Sequence, residues 1–322
     1  MNDPQPAEAR FDQRLDAWIL SSYRDVSSAL REPGLAISDS GPSESDTHLT
    51  VREAGAEFAH ARLGEWQARM EQSAREYAGR LAPNRTIDLF QAFASPWSLE
   101  VAVMVTGIAP ELGRSLTRVA GEVFLAAATA TGPGSDSHAL DAATLLAQQL
   151  PPSLMAVQGF VALSHTLPHF LASAWHALLS NPDSVHQLRS HPDLVPEAVE
   201  ELLRHASPSQ AVFRIAVRPV RVGAANIATG DRVILLLAAA NRDSTQFPGP
   251  NRIDFARGAA GHLAFGKGAH ACAGAQLIRL AASIATRALL SSASAIELNG
   301  DITWIGGFAI RAPASLPVIL RR

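Results

Sequence analysis

Residues 262–274 read His262-Leu-Ala-Phe265-Gly266-Lys-Gly268-Ala-His270-Ala-Cys272-Ala-Gly274 and contain the only cysteine among the 322 residues of the chain. Three glycines surround that cysteine, and glycine allows tight or left-handed turns that other residues avoid. A thiol on a glycine-rich loop before a helix is predicted to have a lowered pKa and to be poised as a thiolate. The predicted helix is indicated by an apolar pattern of helical spacing, formed by Leu277, Leu280, Ala281, Ile284, Ala285 and Ala288.

The cysteine alone leaves three interpretations open. A nucleophilic cysteine needs a base, and His270 is a poor candidate because catalytic Cys/His pairs usually come from distant parts of a chain. A metal-ligating cysteine needs a rigid loop with backbone N–H groups directed at sulfur, which this stretch can supply. A lone cysteine can also be an inert buried side chain.

Composition narrows the class of protein. Hydrophobic residues make up 47% of the chain, enough for a sizeable core, and the formal net charge of −3 predicts no general attraction to nucleic acid. A single cysteine excludes an intrachain disulfide and fits a reducing compartment. Residues 1–18 lack the apolar core of a signal peptide. The most apolar window, 154–179, is interrupted by Pro168 and polar residues, so it predicts a buried helix and no membrane span. We expect a cytoplasmic protein.

The whole cysteine stretch resembles the ligand loop of the cytochrome P450 family, F-G-x-G-x-H-x-C-x-G. Its fixed positions are filled by Phe265, Gly266, Gly268, His270, Cys272 and Gly274. The resemblance implies a mainly α fold with a small β region, in a single domain over residues 1–322 with 1–16 loose. It also implies haem b (iron protoporphyrin IX) as cofactor, with Cys272 as the axial iron ligand and the other loop residues around it.

Further segments are similar to that family. His48 and Arg52 match its H-x-x-x-R pair, which implies contact with the haem propionates, and Arg214 and His262 match two further propionate positions. Glu201 and Arg204 match its E-x-x-R pair, a buried ion pair that the resemblance completes with an arginine as third member, Arg252. Ala239-Ala-Asn241-Arg-Asp243 is similar to its A-x-N-R-D motif.

The central helix departs from the family pattern A-G-x-[DE]-T-[TS], which falls on Ala162 to Leu167. Thr166 keeps the threonine, whereas His165 replaces the acid and Leu163 the glycine. The resemblance assigns Thr166, His165 and Ala162 to the distal, catalytic side of the haem. A histidine can carry protons near neutral pH, so His165 is expected to substitute for the acid. The alternatives are peroxide-driven or redox-neutral chemistry, or a histidine that only packs.

The sequence also predicts local elements. It predicts a strand from Ala17, a helix capped by Asp25, and a long helix that runs from Pro151 to about Leu179 and is kinked at Pro168. The loop at 38–46 and the region 111–150 are shorter than in the family. We therefore expect a reduced distal roof, with an open pocket or one covered by a partner chain or a second copy.

The leading functional hypothesis is a monooxygenase or related oxidase that acts on a small organic or secondary-metabolite intermediate. Ferredoxin and its reductase would supply electrons at the proximal face, near Lys267 and Arg279. The second hypothesis is a peroxide-driven or redox-neutral haem enzyme. The third is a non-catalytic haem-binding or auxiliary protein, which retention of the cysteine disfavours.

Overall fold

The structure is a computed structural model that describes residues 8–37, 60–132, 137–151, 156–258 and 261–321. The α-helices in these ranges are α1 (Tyr23–Ala29), α2 (His60–Gly79), α3 (Ser95–Thr106), α4 (Pro110–Thr129), α5 (Ser137–Gln149), α6 (Ala156–Val161), α7 (Leu167–Leu179), α8 (Pro182–Ser190), α9 (Val195–Ala206), α10 (Leu237–Ala240) and α11 (Ala275–Ser291). Helices dominate the described chain, so the predicted mainly α fold is confirmed.

The β region is small and joins distant parts of the chain. The strands are β1 (Arg10–Asp12), β2 (Ala17–Leu20), β3 (Leu35–Ala36), β4 (Thr86–Asp88), β5 (Val212–Ala216), β6 (Val220–Val222), β7 (Ala225–Ile227), β8 (Arg232–Leu235), β9 (Ala295–Leu298), β10 (Trp304–Gly306), β11 (Arg311–Pro313) and β12 (Pro317–Arg321). A five-stranded sheet has the order β1-β2-β8-β5-β3, and a three-stranded sheet the order β4-β12-β9. Strands β2 and β8 are parallel, with Trp18 opposite Val233.

The helices pack around one large apolar core and the sheet covers another. Two buried tryptophans tie the helical layers together, because each indole N–H finds a hydroxyl partner as buried indoles require. Trp97 Nε1 donates to Ser73 Oγ at 3.1 Å, and Trp175 Nε1 donates to Thr286 Oγ1 at 3.1 Å. The second bond links α7 to α11, the helix that follows the cysteine loop. The core therefore fixes the central helix relative to that loop.

The central helix changes pitch just before Pro168. Between α6 and α7, residues Ala162–Thr166 form a π-helical turn, and the Leu167 N–H donates to the Ala162 carbonyl, five residues back. Proline has no N–H and disfavours α geometry in the preceding residues. The predicted disturbance at Pro168 is thus present as a widened turn immediately N-terminal to it, at the segment assigned to the distal side. Part of the predicted helix start, at 152–155, lies outside the described residues.

The predicted cap of α1 is wrong. The N-cap is Ser22, whose side chain accepts the N–H of Asp25, and Asp25 lies in the first turn. Both residue types favour a helix N-terminus, Ser at the cap and Asp through the helix dipole, so composition alone does not separate them.

Among the described residues, no single helix is both long and apolar enough to span a bilayer, and one bent pair, Phe90–Thr106 with Pro110–Thr129, meets that test by length and composition alone.

A buried ion network joins α9 to the irregular chain before the cysteine loop. Arg204 makes a bidentate pair with Glu201, with N–O distances of 2.8 and 2.7 Å, and both side chains are at most 1% exposed. The third member of the network is Arg257, whose Nε lies 3.2 Å from Glu201 Oε1. The prediction of Arg252 is wrong, because it contributes only its carbonyl, which accepts from Arg204 at 3.2 Å, while the residue is exposed. Arg252 and Arg257 are five positions apart on one irregular segment, where the spacing in the sequence does not show which side chain points inwards.

Arg257→Ala is expected to lower the free energy of unfolding by about 1–3 kcal/mol, because Glu201 loses one charged hydrogen bond but keeps Arg204. Arg252→Ala is the matched control and should change it by less than about 0.5 kcal/mol. Urea titration followed by far-UV circular dichroism measures both. Equal losses for the two variants would contradict the assignment.

Candidate functional site

The cysteine loop is fixed by backbone hydrogen bonds and a buried anchor. The Cys272 N–H donates to the Phe265 carbonyl at 2.9 Å, which closes the loop on itself. The loop starts at Leu263, which is fully buried in the core under the five-stranded sheet. The Leu263 N–H donates to Asn241 Oδ1 at 2.6 Å. The asparagine of the A-x-N-R-D motif therefore holds the entrance of the loop.

Two glycines in the loop are required by its geometry. Gly266 has φ +64° and Gly268 has φ +75°, a left-handed region that costs other residues about 1–2 kcal/mol. A Cβ on Gly268 would also lie 2.7 Å from the Leu30 carbonyl oxygen. The loop thus packs directly on the end of α1. Lys267 reinforces this contact, since its Nζ donates to the Tyr23 hydroxyl at 2.9 Å.

Cys272 combines surface accessibility with a buried environment. Its residue surface is exposed, yet burial raises the pKa of its thiol above the usual value. The thiol is thus accessible although protein atoms surround much of it. The Gly274 N–H and the charge of Arg279 act in the opposite direction, as predicted for a helix start, but they do not prevail. The predicted lowered pKa is wrong for the free thiol, because desolvation outweighs the hydrogen bond from Gly274 and the charge of Arg279.

Arg214 on β5 is a buried cation with no carboxylate partner among the described residues. It is 6% exposed, its Nη1 donates to the Phe213 carbonyl at 2.7 Å, and burial lowers its pKa. A buried charge is costly unless an opposite charge accompanies it. A guanidinium in this state fits an anionic ligand such as a carboxylate. This guanidinium and the accessible Cys272 thiol are the two kinds of group that a haem requires, one for a propionate and one for the iron.

The other predicted cofactor residues have different outcomes. His262 is turned away from that role, because its Nε2 faces Glu200 Oε2 at 3.3 Å. His48 and Arg52 lie outside the described residues. His270 ends a short 3₁₀ turn, two positions before Cys272, and is partly buried. Gly274 is the N-cap of α11. Phe265 supplies the carbonyl that accepts the Cys272 N–H.

The distal segment places His165 against the helix α4. Its ring centroid lies 5.7 Å from that of Phe124, and a Cβ added to Gly121 would lie 3.2 Å from its Nε2. Burial, with a smaller contribution from His169, lowers the pKa of His165 to about 4. Its Nδ1 lies 2.9 Å from Ser164 Oγ, which itself donates to the Phe160 carbonyl at 2.6 Å.

These contacts define the protonation state of His165. Because the Ser164 hydroxyl proton is directed at the Phe160 carbonyl, the Ser164 oxygen accepts from His165 Nδ1–H. The ring is then neutral near pH 7, with the lone pair of Nε2 directed towards Gly121. Thr166 and Ala162 are partly buried within the same π-helical turn, whereas Leu163 is only 3% exposed and belongs to the helical core. The structure thus gathers the three predicted distal residues in one turn.

Comparisons with known proteins agree with this geometry. The family model described as Cytochrome P450 matches residues 181–295, which include the buried network and the cysteine loop. The chain is 31% identical over 361 residues to cytochrome P450 107B1 of Saccharopolyspora erythraea, a match that covers 94% of this chain and 89% of that protein.

Another relative is matched less completely. Cytochrome P450 monooxygenase PikC of Streptomyces venezuelae is 34% identical over 272 residues, covering 75% of this chain and 65% of that protein, which is just under two thirds of its length. Among solved structures, the versatile cytochrome P450 enzyme CYP109B1 from Bacillus subtilis superimposes with a TM-score of 0.83 at 24% identity, covering 98% of this chain and 96% of that chain. This likeness is one of fold.

The low pKa of His165 predicts an acid-sensitive fold. The folded pKa of about 4 lies below the ordinary value of 6.5, so protonation favours the unfolded chain. The associated stability is complete above pH 6.5 and is lost as the pH falls towards 4, by up to about 3 kcal/mol. His165→Phe should flatten this part of the stability–pH curve, measured by urea titration between pH 4 and 7. The exposed His191→Phe is the control, and an unchanged slope in His165→Phe would refute the prediction.

Proposed function

Because the chain belongs to the cytochrome P450 family of monooxygenases, we propose that it is a single-domain haem-thiolate enzyme that oxidises a small organic or secondary-metabolite intermediate. The observation that carries the proposal is the position of Cys272, which is accessible and held by its N–H to the Phe265 carbonyl. The cofactor is haem b, which when bound supplies oxygen activation, while an axial thiolate favours O–O cleavage.

The residues of this chain have separate tasks in that proposal. Cys272 provides the axial sulfur, and the nearby Gly274 N–H and Arg279 stabilise its negative charge. Arg214 neutralises a propionate and thereby loses the cost of a buried, unpaired guanidinium. His48 and Arg52 remain predicted partners of the propionates. His262 is not included, since its imidazole faces Glu200.

On the distal side, we assign proton handling to Thr166 and His165. The Nε2 lone pair of His165 accepts a proton, and the Nδ1–H to Ser164 Oγ fixes the ring in that orientation. With a pKa of about 4, His165 is an uncharged proton acceptor at rest, whereas an ionised aspartate at this position of the family pattern is a negatively charged one. Proton delivery through His165 is therefore expected to differ from that in relatives with an acid.

Electrons are proposed to come from a ferredoxin and its reductase. The two cations predicted nearest the contact are engaged within the chain, Lys267 with the Tyr23 hydroxyl and Arg279 with Glu200. Both cations therefore help to shape the loop, and the surface around them stays the predicted contact with the ferredoxin.

A partner chain or a second copy is proposed over the distal roof. Three leucines of α4 and α5 point outwards, with exposures of 53% for Leu125, 58% for Leu140 and 44% for Leu145. Only these two helices cover residues 110–149 in the described chain, so the roof is thin there, as the sequence predicts.

The proposed ligation is tested by the ferrous–CO spectrum. The haem-loaded wild-type protein should show the strongly red-shifted Soret band of thiolate ligation, and Cys272→Ser should lose it completely, because serine oxygen does not replace the thiolate. As the chain contains one cysteine, no other thiol can substitute. A wild-type protein without the band, or a Cys272→Ser variant that retains it, would overturn the proposal.

A second candidate function is supported by the distal segment. The acid is replaced by a neutral, packed histidine, the glycine by the buried Leu163, and the helix is widened to a π turn at that point. These features favour a peroxide-driven or redox-neutral haem enzyme, in which delivery of protons to dioxygen is unnecessary. The retained cysteine loop disfavours a non-catalytic auxiliary protein.

Turnover assays separate the two enzymatic candidates. The leading proposal expects product with ferredoxin, reductase and NAD(P)H, with a rate that falls at least about 100-fold in His165→Phe, the lower end of the range for general acid–base groups. The alternative expects product with peroxide and none with the redox chain. Thr144→Val, on the exposed face of α5, is the control for a nonspecific loss of activity. Candidate substrates are selected beforehand by the spin-state shift that they induce in the ferric protein.

A further inference from the structure

A carboxylate on α9 connects three elements behind the cysteine loop. We infer that Glu200, Arg279 and His262 form a clamp that holds Phe265 in place and sets the electrostatic environment of Cys272. The inference rests on the proposed role of Cys272 as the iron ligand. In this assignment the three residues position the ligand loop and do not themselves contact the reacting atoms.

The first half of the clamp is an ion pair between helices. Arg279 Nε lies 2.5 Å from Glu200 Oε1, and Arg279 Nη2 lies 3.2 Å from Oε2, so the pair is bidentate. Glu200 is on α9 and Arg279 is on α11, the helix that begins just after Cys272. Their side chains are 27% and 32% exposed, at the wall of a groove of about 1340 Å³. The bidentate geometry fixes α11 relative to α9 more tightly than a single contact would.

The second half is His262, whose side chain is 2% exposed. Its Nδ1 accepts the N–H of Ala264 at 3.2 Å, so Nδ1 carries no proton and the proton of a neutral ring is on Nε2. Nε2 lies 3.3 Å from Glu200 Oε2, within ion-pair reach although not aligned for a full hydrogen bond. No other partner of Nε2 is found among the described residues. Buried N–H groups need an acceptor. We therefore assign the N–H of His262 to Glu200, whose Oε2 is the acceptor within reach.

Both arms of the clamp meet at Phe265. The Arg279 guanidinium carbon lies 4.7 Å from the centroid of the phenyl ring, a cation–π distance, and the imidazole of His262 lies 5.7 Å from it. The Phe265 carbonyl accepts the Cys272 N–H at 2.9 Å. A displacement of the ring is thereby transmitted to the backbone that carries the sulfur.

The clamp also balances charge. Burial raises the pKa of Glu200, but the nearby His262 and the hydrogen bonds and charge of Arg279 outweigh it, and the pKa falls to about 2. Glu200 is therefore ionised near neutral pH. Arg279 places a positive charge on α11, the helix that begins just after Cys272, and Glu200 places a negative charge against that guanidinium. The two residues thus act on the sulfur in opposite directions.

Opposite signs make the experiment specific. In the haem-loaded protein, Glu200→Gln removes a negative charge and should shift the midpoint reduction potential to a more positive value, because the reduced centre carries more negative charge. Arg279→Gln should shift it to a more negative value. Glu197→Gln, an exposed carboxylate one turn earlier on α9, should leave it unchanged. His262→Leu should leave the potential nearly unchanged but lower the fraction of ferrous–CO complex with the thiolate Soret band.

The outcomes separate this inference from the proposed function. Absence of the thiolate band in the wild-type protein would refute the proposed function itself. A wild-type protein with the band, combined with shifts of the same sign or no shift in Glu200→Gln and Arg279→Gln, would overturn the clamp alone. A single variant that merely unfolds would lose haem and show a lower urea midpoint. In that case the double variant Glu200→Gln/Arg279→Gln tests the clamp. The inference expects the reduction potential of the double variant to return towards the wild-type value, and a potential that does not return would contradict it.

Discussion

The buried pair between Arg204 and Glu201 organises the part of the molecule on which the candidate site depends. All five N–H donors of Arg204 are used, two on the Glu201 carboxylate and three on the carbonyls of Asn241, Pro250 and Arg252. A guanidinium remains charged in a protein interior. Moving any of these acceptors away would leave part of that buried charge without a partner, which costs much free energy, so the acceptors are fixed in position. The segment that they belong to has little regular structure, and it leads directly into the cysteine loop.

A short series of contacts therefore links the buried charge of Arg204 to the cysteine loop. Arg204 fixes the carbonyl of Asn241, and the side chain of Asn241 fixes the N–H of Leu263, which begins the loop. The segment that we propose for the opposite side of the site is built differently. There a neutral histidine, His165, packs on Phe124 within a π-helical turn. One wall is a charged, fully paired network, and the other is an aromatic contact that a small shift of α4 would change.

Much of the fold and of the proximal side could be predicted from the sequence, because long motifs and helical periodicity determine them. The cysteine loop, the E-x-x-R pair and the helices around them are where the residues indicate. The errors share a cause. Arg252 and Arg257 lie on irregular chain, where spacing does not say which side chain turns inwards, and the roles of His262 and of the Cys272 pKa depend on neighbours distant in sequence. Glu200 carries no motif of its own, and only the packing of α9 on α11 shows its contacts.

The sheet pairing has a consequence for the order in which the molecule can assemble. Strand β2 pairs in parallel with β8, more than two hundred residues later, and β4 pairs with β12 at the far end of the chain. The cysteine loop rests on α1, through Gly268 against Leu30 and Lys267 on Tyr23. During synthesis the N-terminal elements must wait for their partners, and contacts of such high sequence separation form slowly. Both sheets therefore form late, after their C-terminal strands have been synthesised. The cofactor can be bound only when almost the entire polypeptide has emerged.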